Sequence, residues 1–74
     1  MEIAARIVID PAVCHGTPVI AGTRVPAAIV VGSLAGGMSR EEVMREYEVT
    51  GEDIDAALAY AADLVARTEL VPLG

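Results

Sequence analysis

The 74-residue sequence has no lysine, phenylalanine or tryptophan, and only one cysteine and one histidine. A single cysteine excludes an internal disulfide, and one Cys with one His falls short of the four ligands of a structural zinc site. Without lysine there is no Walker phosphate loop, so Gly16 and Gly22 read as turn residues. With no large ring except two tyrosines, the core must be built from small aliphatic side chains. Thirteen alanines and ten valines supply over half of the hydrophobic positions. A chain of this size buries only about 60% of its unfolded surface, and small domains need a staple. Self-association is the staple left, and a homodimer is expected.

Cationic charge is also scarce. Five arginines face eleven acidic residues, giving a formal charge of −6. Proteins that hold DNA through its phosphates carry the opposite balance. Long apolar runs are absent too. The longest stretch without a charged residue, Val25 to Ser39, is broken by Pro26 and by Gly36-Gly37. It is shorter than the ~20 residues of a bilayer span. Met1-Glu2-Ile3 lacks the basic start of a signal peptide, and a cytoplasmic protein is expected.

What is present divides near Pro26 into an extended half, residues 1–25, and a helical half, residues 26–67, with a tail over 68–74. Ile3 to Ile9 is rich in β-branched residues and ends at the turn signal Asp10-Pro11. Ala12 to Pro18 reads as a loop. Val19-Ile20 and Thr23-Arg24-Val25 flank Ala21-Gly22, a compact hairpin that needs a third strand from this chain or a second copy. Pro26 suits a helix start, Ala27 to Ala35 follows, and Gly36-Gly37 ends it. This helix is apolar nearly all round and must be covered on more than one side. Ser39 to Glu42 is a capping box for a second helix running to about Tyr47, with Val43, Met44 and Tyr47 inward. Thr50 to Asp53 is a second cap, with Asp in place of the usual Glu. The third helix repeats Ile54, Ala57, Leu58, Ala61, Leu64 and Val65 at helical spacing, which predicts its inner face.

Asp10-Pro11, the run from Cys14 to Pro26 (CHGTPVIAGTRVP), Leu34 to Ser39 and Glu42 resemble domain-of-unknown-function family 433. Tyr47, Thr50, Glu52-Asp53-Ile54 and Ala56 to Ala61 continue the match. Thr17 stands where that family usually has Lys, and the link Glu48-Val49 lacks its common Pro-x-Leu. The resemblance implies one α+β, mainly helical domain over residues 1–74, in which a short N-terminal strand and hairpin precede a three-helix bundle of winged-helix or homeodomain type. It also implies a VapB-type antitoxin that neutralises a PIN-like nuclease, because many members lie beside such a gene.

Candidate residues follow from these two readings. Antitoxins block metal-dependent nucleases by placing a cation among catalytic acids, and Arg24, in the most specific motif, is the candidate. Its bland alternative is an internal ion pair with Asp10 or a helix acid. Asp55 and Asp63 on the third helix, with Val71 and Leu73 in the tail, are the further expected contacts to a basic partner. Ile7, Ile9, Val19, Ile29, Val30 and Leu34 are expected at the dimer interface. The alternative function is a helix-turn-helix transcriptional regulator using Arg6, Arg24, Arg40 and Arg45, against which stand the acids Glu52, Asp53 and Asp55 at the start of the third helix. Cys14 and His15 are neighbours, and as extended neighbours they would face opposite ways. No catalytic, metal or cofactor site is expected.

Overall fold

The β-branched run at the N-terminus folds back on itself instead of forming one strand. In the computed structural model, which describes residues 1–68, β1 (Glu2–Ala4) pairs antiparallel with β2 (Ile7–Val8). Strand β2 in turn pairs antiparallel with β3 (Val19–Ile20), so the sheet order is β1-β2-β3. The third strand therefore comes from the same chain. The reversal sits at Ala5-Arg6, where Arg6 adopts a left-handed φ of 61°. Such a conformation costs a non-glycine residue roughly 1 kcal/mol or more, and one local and two long-range bonds offset it. The Arg6 N–H donates to the Glu2 carboxylate at 3.3 Å, and its guanidinium reaches Asp53 at 3.0 Å and Glu52 at 3.2 Å.

The second turn forms at Ala21-Gly22 as read, but Thr23 to Val25, expected as the second strand of the hairpin, is not a strand. Val19 bridges to Pro26, the Ile20 N–H donates to the Val25 carbonyl at 2.9 Å, and the Ala27 N–H donates to Pro18 at 3.0 Å. Gly22 holds φ at +79° with open space around it. Strain and not collision is thus what a side chain would meet there. Gly22→Ala is expected to lower stability by about 1 kcal/mol, read as a drop in the urea midpoint.

Three helices follow: α1 (Ala27–Ala35), α2 (Arg40–Tyr47) and α3 (Gly51–Thr68). Pro26 flanks α1 in an extended conformation, and its carbonyl accepts from the N–H groups of Ile29 and Val30. Gly37, at φ +107°, closes the helix. Ser39 and Glu42 form the reciprocal box at the start of α2, with Glu42 N–H to Ser39 Oγ at 3.1 Å and Ser39 N–H to Glu42 Oε1 at 2.9 Å. These contacts from the Ser39 N–H and hydroxyl hold the Glu42 carboxyl below its ordinary range. Glu48 ends α2 in a left-handed conformation, which turns Val49 inward. Thr50 and Asp53 then repeat the box at α3, with both bonds near 3 Å (3.0 and 3.1 Å).

The core lies where all these elements meet. Ile7, Ile20, Ala27, Val30, Val43, Val49, Ile54 and Ala57 are buried together, and Val19 is buried as well. Tyr47 packs against this cluster and bonds through its hydroxyl to Ser33 at 3.0 Å, which satisfies both polar tips on otherwise apolar faces. Met44, expected inward, is exposed. The inner face expected for α3 holds only in part. Ile54 and Ala57 are buried, whereas Leu58, Leu64 and Val65 are 40%, 44% and 55% exposed. At about 100° per residue Leu58 and Val65 lie roughly a quarter-turn round the helix from Ala57 and Ala61, so the apolar stripe is wider than the face that meets the core. The architecture is α+β and mainly helical. No helix of the described residues is long and apolar enough to cross a membrane.

Candidate functional site

The run Val19 to Pro26 builds a rigid finger. The Thr23 hydroxyl donates to the Ile20 carbonyl at 2.8 Å and accepts from the Val25 N–H at 3.0 Å. The Thr23 N–H also donates to Ile20 at 3.0 Å. Threonine here staples a turn that glycine at position 22 permits. On the other side the Cys14 thiol donates to the Arg24 carbonyl at 3.4 Å. Arg24 thus has a fixed backbone and an exposed side chain.

Its charge is free as well. Arg6 pairs with Glu52 and Asp53, Arg40 with Asp55 at 2.8 Å, and Arg67 with Asp63 at 2.8 Å. Arg24 and Arg45 have no ion-pair partner among the described residues. The expected local pairing of Arg24 with Asp10 is absent, because the Asp10 carboxylate instead accepts from the Ala12 N–H at 2.9 Å. A fixed, unpaired guanidinium on a chain of charge −6 can grip a carboxylate pair bidentately.

The arginines assigned to nucleic acid divide differently. Arg6 and Arg40 are held against the acids that begin α3, and only Arg24 and Arg45 project without a carboxylate partner among the described residues. Asp53 is the hub of that cluster. Burial pushes its carboxyl up, but hydrogen bonds from Thr50 and the Arg6 guanidinium outweigh this and hold it below the ordinary range. Asp55 and Asp63 are exposed yet ion-paired. Val71 and Leu73 lie outside the described residues.

Cys14 and His15 are not extended neighbours. Both sit in the short 3-10 turn Cys14–Gly16 with left-handed φ of 49° and 56°. The thiol is spent on the hairpin backbone, and the imidazole is exposed. Among the described residues no group of three or more His, Cys, Asp or Glu side chains is placed to hold a metal ion.

The interface residues expected from the sequence also separate. Ile7, Val19 and Val30 are buried in the chain's own core, which takes them off any free surface. Ile9 and Leu34 are half-buried, and Ile29 is 45% exposed. Sequence reasoning missed a groove of about 450 Å³ between α1 and α3, lined in part by Pro18, Ala28, Val31, Gly32, Ala61 and Leu64. No charged side chain lines it among the described residues. The signal was the spacing of small residues, Ala28 with Gly32 and Ala57 with Ala61, each four apart and hence on one helix face.

The model of the family "Protein of unknown function (DUF433)" matches residues 7–61. None of the curated proteins compared with the chain matches it. A crystal structure of a DUF433 member protein from Anabaena variabilis ATCC 29413 is 31% identical with a TM-score of 0.75, over 86% of this chain and 64% of that one. The crystal structure of Rv2018 from Mycobacterium tuberculosis is 37% identical with a TM-score of 0.66, over 73% of this chain and 25% of that one. The chain therefore spans less than two thirds of either solved relative. With the family pattern running through sheet and all three helices, and the fold shared with a solved member, the chain belongs to the DUF433 family.

Proposed function

We propose that this chain is a non-catalytic, cytoplasmic interaction module of antitoxin type, which neutralises a PIN-like nuclease by presenting Arg24 to the nuclease's catalytic carboxylates. The observation that carries this reading is the Arg24 finger: a rigid hairpin, an exposed guanidinium, and no carboxylate partner among the described residues. A cluster of metal-binding acids is the complementary surface for such a group. The net charge of −6 suits the basic, RNA-binding flank of a nuclease, with Asp55 and Asp63 exchanging Arg40 and Arg67 for the partner's cations. The regulatory alternative is weaker on the same grounds, since Arg6 and Arg40 are tied to α3 and phosphates would have to be held by Arg24 and Arg45.

The test is to read the neighbouring reading frame for a PIN-like nuclease, whose absence counts against the proposal, and to co-purify the chain with that nuclease. The wild-type chain is expected to bind it and to suppress its RNA cleavage. Arg24→Ala, with an unchanged circular dichroism spectrum, is expected to lose at least about tenfold in affinity, or roughly 1.4 kcal/mol. Failure of the wild type to bind, or full inhibition by Arg24→Ala, would overturn the proposal. Salt-sensitive micromolar binding to the chain's own promoter without the nuclease would favour the regulator instead.

A further inference from the structure

Arg24 serves as a finger only if its backbone keeps one conformation, and its neighbours in the turn decide that. Gly22, at φ +79° with open space around it, brings the backbone freedom of glycine into the turn. Ala21 and Gly22 are both exposed, so packing does not pin them. Hydrogen bonds must.

Those bonds converge on Thr23. Its hydroxyl donates to the Ile20 carbonyl at 2.8 Å and accepts from the Val25 N–H at 3.0 Å. Ile20 is a firm anchor, being 0% exposed and paired with Ile7 in the sheet. The Val25 N–H belongs to the same planar peptide unit as the Arg24 carbonyl. Holding that N–H therefore fixes one of the two peptide planes that set where the Arg24 side chain points. The Ile20 N–H closes the ring by donating to the Val25 carbonyl at 2.9 Å. A route of bonds thus runs from the buried core to the exposed charge, through Ile20, the Thr23 hydroxyl and Val25. The Cys14 thiol meets the Arg24 carbonyl from the other side at 3.4 Å, but a thiol is a weak donor. Only a hydroxyl can donate and accept at once from position 23; valine has the same shape and can do neither.

We propose that Thr23 is a positioning residue for Arg24: its hydroxyl holds the Arg24–Val25 peptide in the binding conformation before the partner arrives. This rests on the nuclease reading above and adds a residue that acts through Arg24. Where only a fraction of the free protein holds the competent conformation, apparent affinity falls by that fraction. The loss then lies in the association rate, whereas removing a contact raises the dissociation rate.

Two variants test this. Thr23→Val keeps the shape and removes both bonds, and Thr23→Ser keeps the hydroxyl. The first measurement is amide hydrogen exchange of the free chain. The Ile54 amide, bonded to the Thr50 carbonyl at 3.1 Å in the core, reports global opening. In Thr23→Val the Val25 amide is expected to exchange about tenfold faster relative to Ile54. The second measurement is the kinetics of binding to the nuclease. Thr23→Val is expected to raise Kd by about three- to tenfold through slower association, with dissociation unchanged. Thr23→Ser is expected within about twofold of the wild type in both measurements, and Arg24→Ala to dissociate faster. An unchanged Val25 amide in Thr23→Val overturns the proposal, as does a Thr23→Ser chain as impaired as Thr23→Val. A wild type that captures no nuclease sinks the Arg24 reading and this inference with it. A wild type that binds no more tightly than Thr23→Val overturns this inference alone.

Discussion

Ile54→Ala is expected to leave most of the chain unfolded at 37 °C. Ile54 is 0% exposed and touches a cluster drawn from the sheet, α1, α2 and the α2–α3 link. Removing three buried carbons and leaving a cavity costs about 2–5 kcal/mol. A domain of this size has roughly 4–11 kcal/mol in total, with its core rarely supplying more than about 3–5. Most proteins survive one such change; here there are only three buried isoleucines, Ile7, Ile20 and Ile54, and no aromatic among the fully buried side chains. Neighbouring side chains are mostly Ala and Val, too short to reach into the void. Leu58→Ala, on the same helix but 40% exposed, is expected to cost under about 1 kcal/mol. Urea and thermal unfolding followed by circular dichroism, at one fixed chain concentration, check both. An Ile54→Ala protein that melts cooperatively within a few degrees of the wild type would show that the core is not the weak point.

What was legible in the sequence is what is decided within four residues. The boxes at Ser39–Glu42 and Thr50–Asp53, the Pro26 entry to α1 and the Gly36-Gly37 exit all depend on neighbours at i+1 to i+3. The turn at Gly22 was readable for the same reason. What was not legible depends on partners far along the chain. Nothing in Ala5-Arg6 marks a turn, since neither is a turn former. The left-handed Arg6 exists because Asp53, 47 residues away, holds its guanidinium. The α3 face failed for a related reason. Periodicity shows that Leu58, Leu64 and Val65 share a stripe, but how much of the stripe meets the core depends on which way the other helices face it. Arg24 lies between these cases: its motif was visible, but its freedom could be seen only after the acids had been assigned to other arginines.

That dependence on Asp53 can be tested directly. Asp53→Ala removes the acceptor for the Thr50 N–H and the partner of Arg6 at one stroke. A lost cap costs about 1 kcal/mol, and a hydrogen bond to a charged group about 1.5–3, so a loss of about 2–4 kcal/mol is expected at pH 7. Asp53→Asn keeps the cap acceptor and removes the charge, and is expected to lose roughly half as much. The pH dependence has a definite sign. The folded carboxyl titrates below its unfolded value, so its stabilisation is complete above the unfolded pKa of about 3.9 and is lost as pH falls through the folded one. Glu42 shifts in the same direction, which adds to the wild type's loss in acid. The gap between wild type and Asp53→Ala in urea midpoint should therefore be constant from pH 7 to about 5 and shrink below about 4. A double-mutant cycle with Arg6→Ala completes the argument, because the two residues act as one strut between the β1–β2 turn and α3. Strict additivity of Arg6→Ala and Asp53→Asn at pH 7, or a gap unchanged at pH 3, would show that something other than this ion pair holds Arg6 in its left-handed turn.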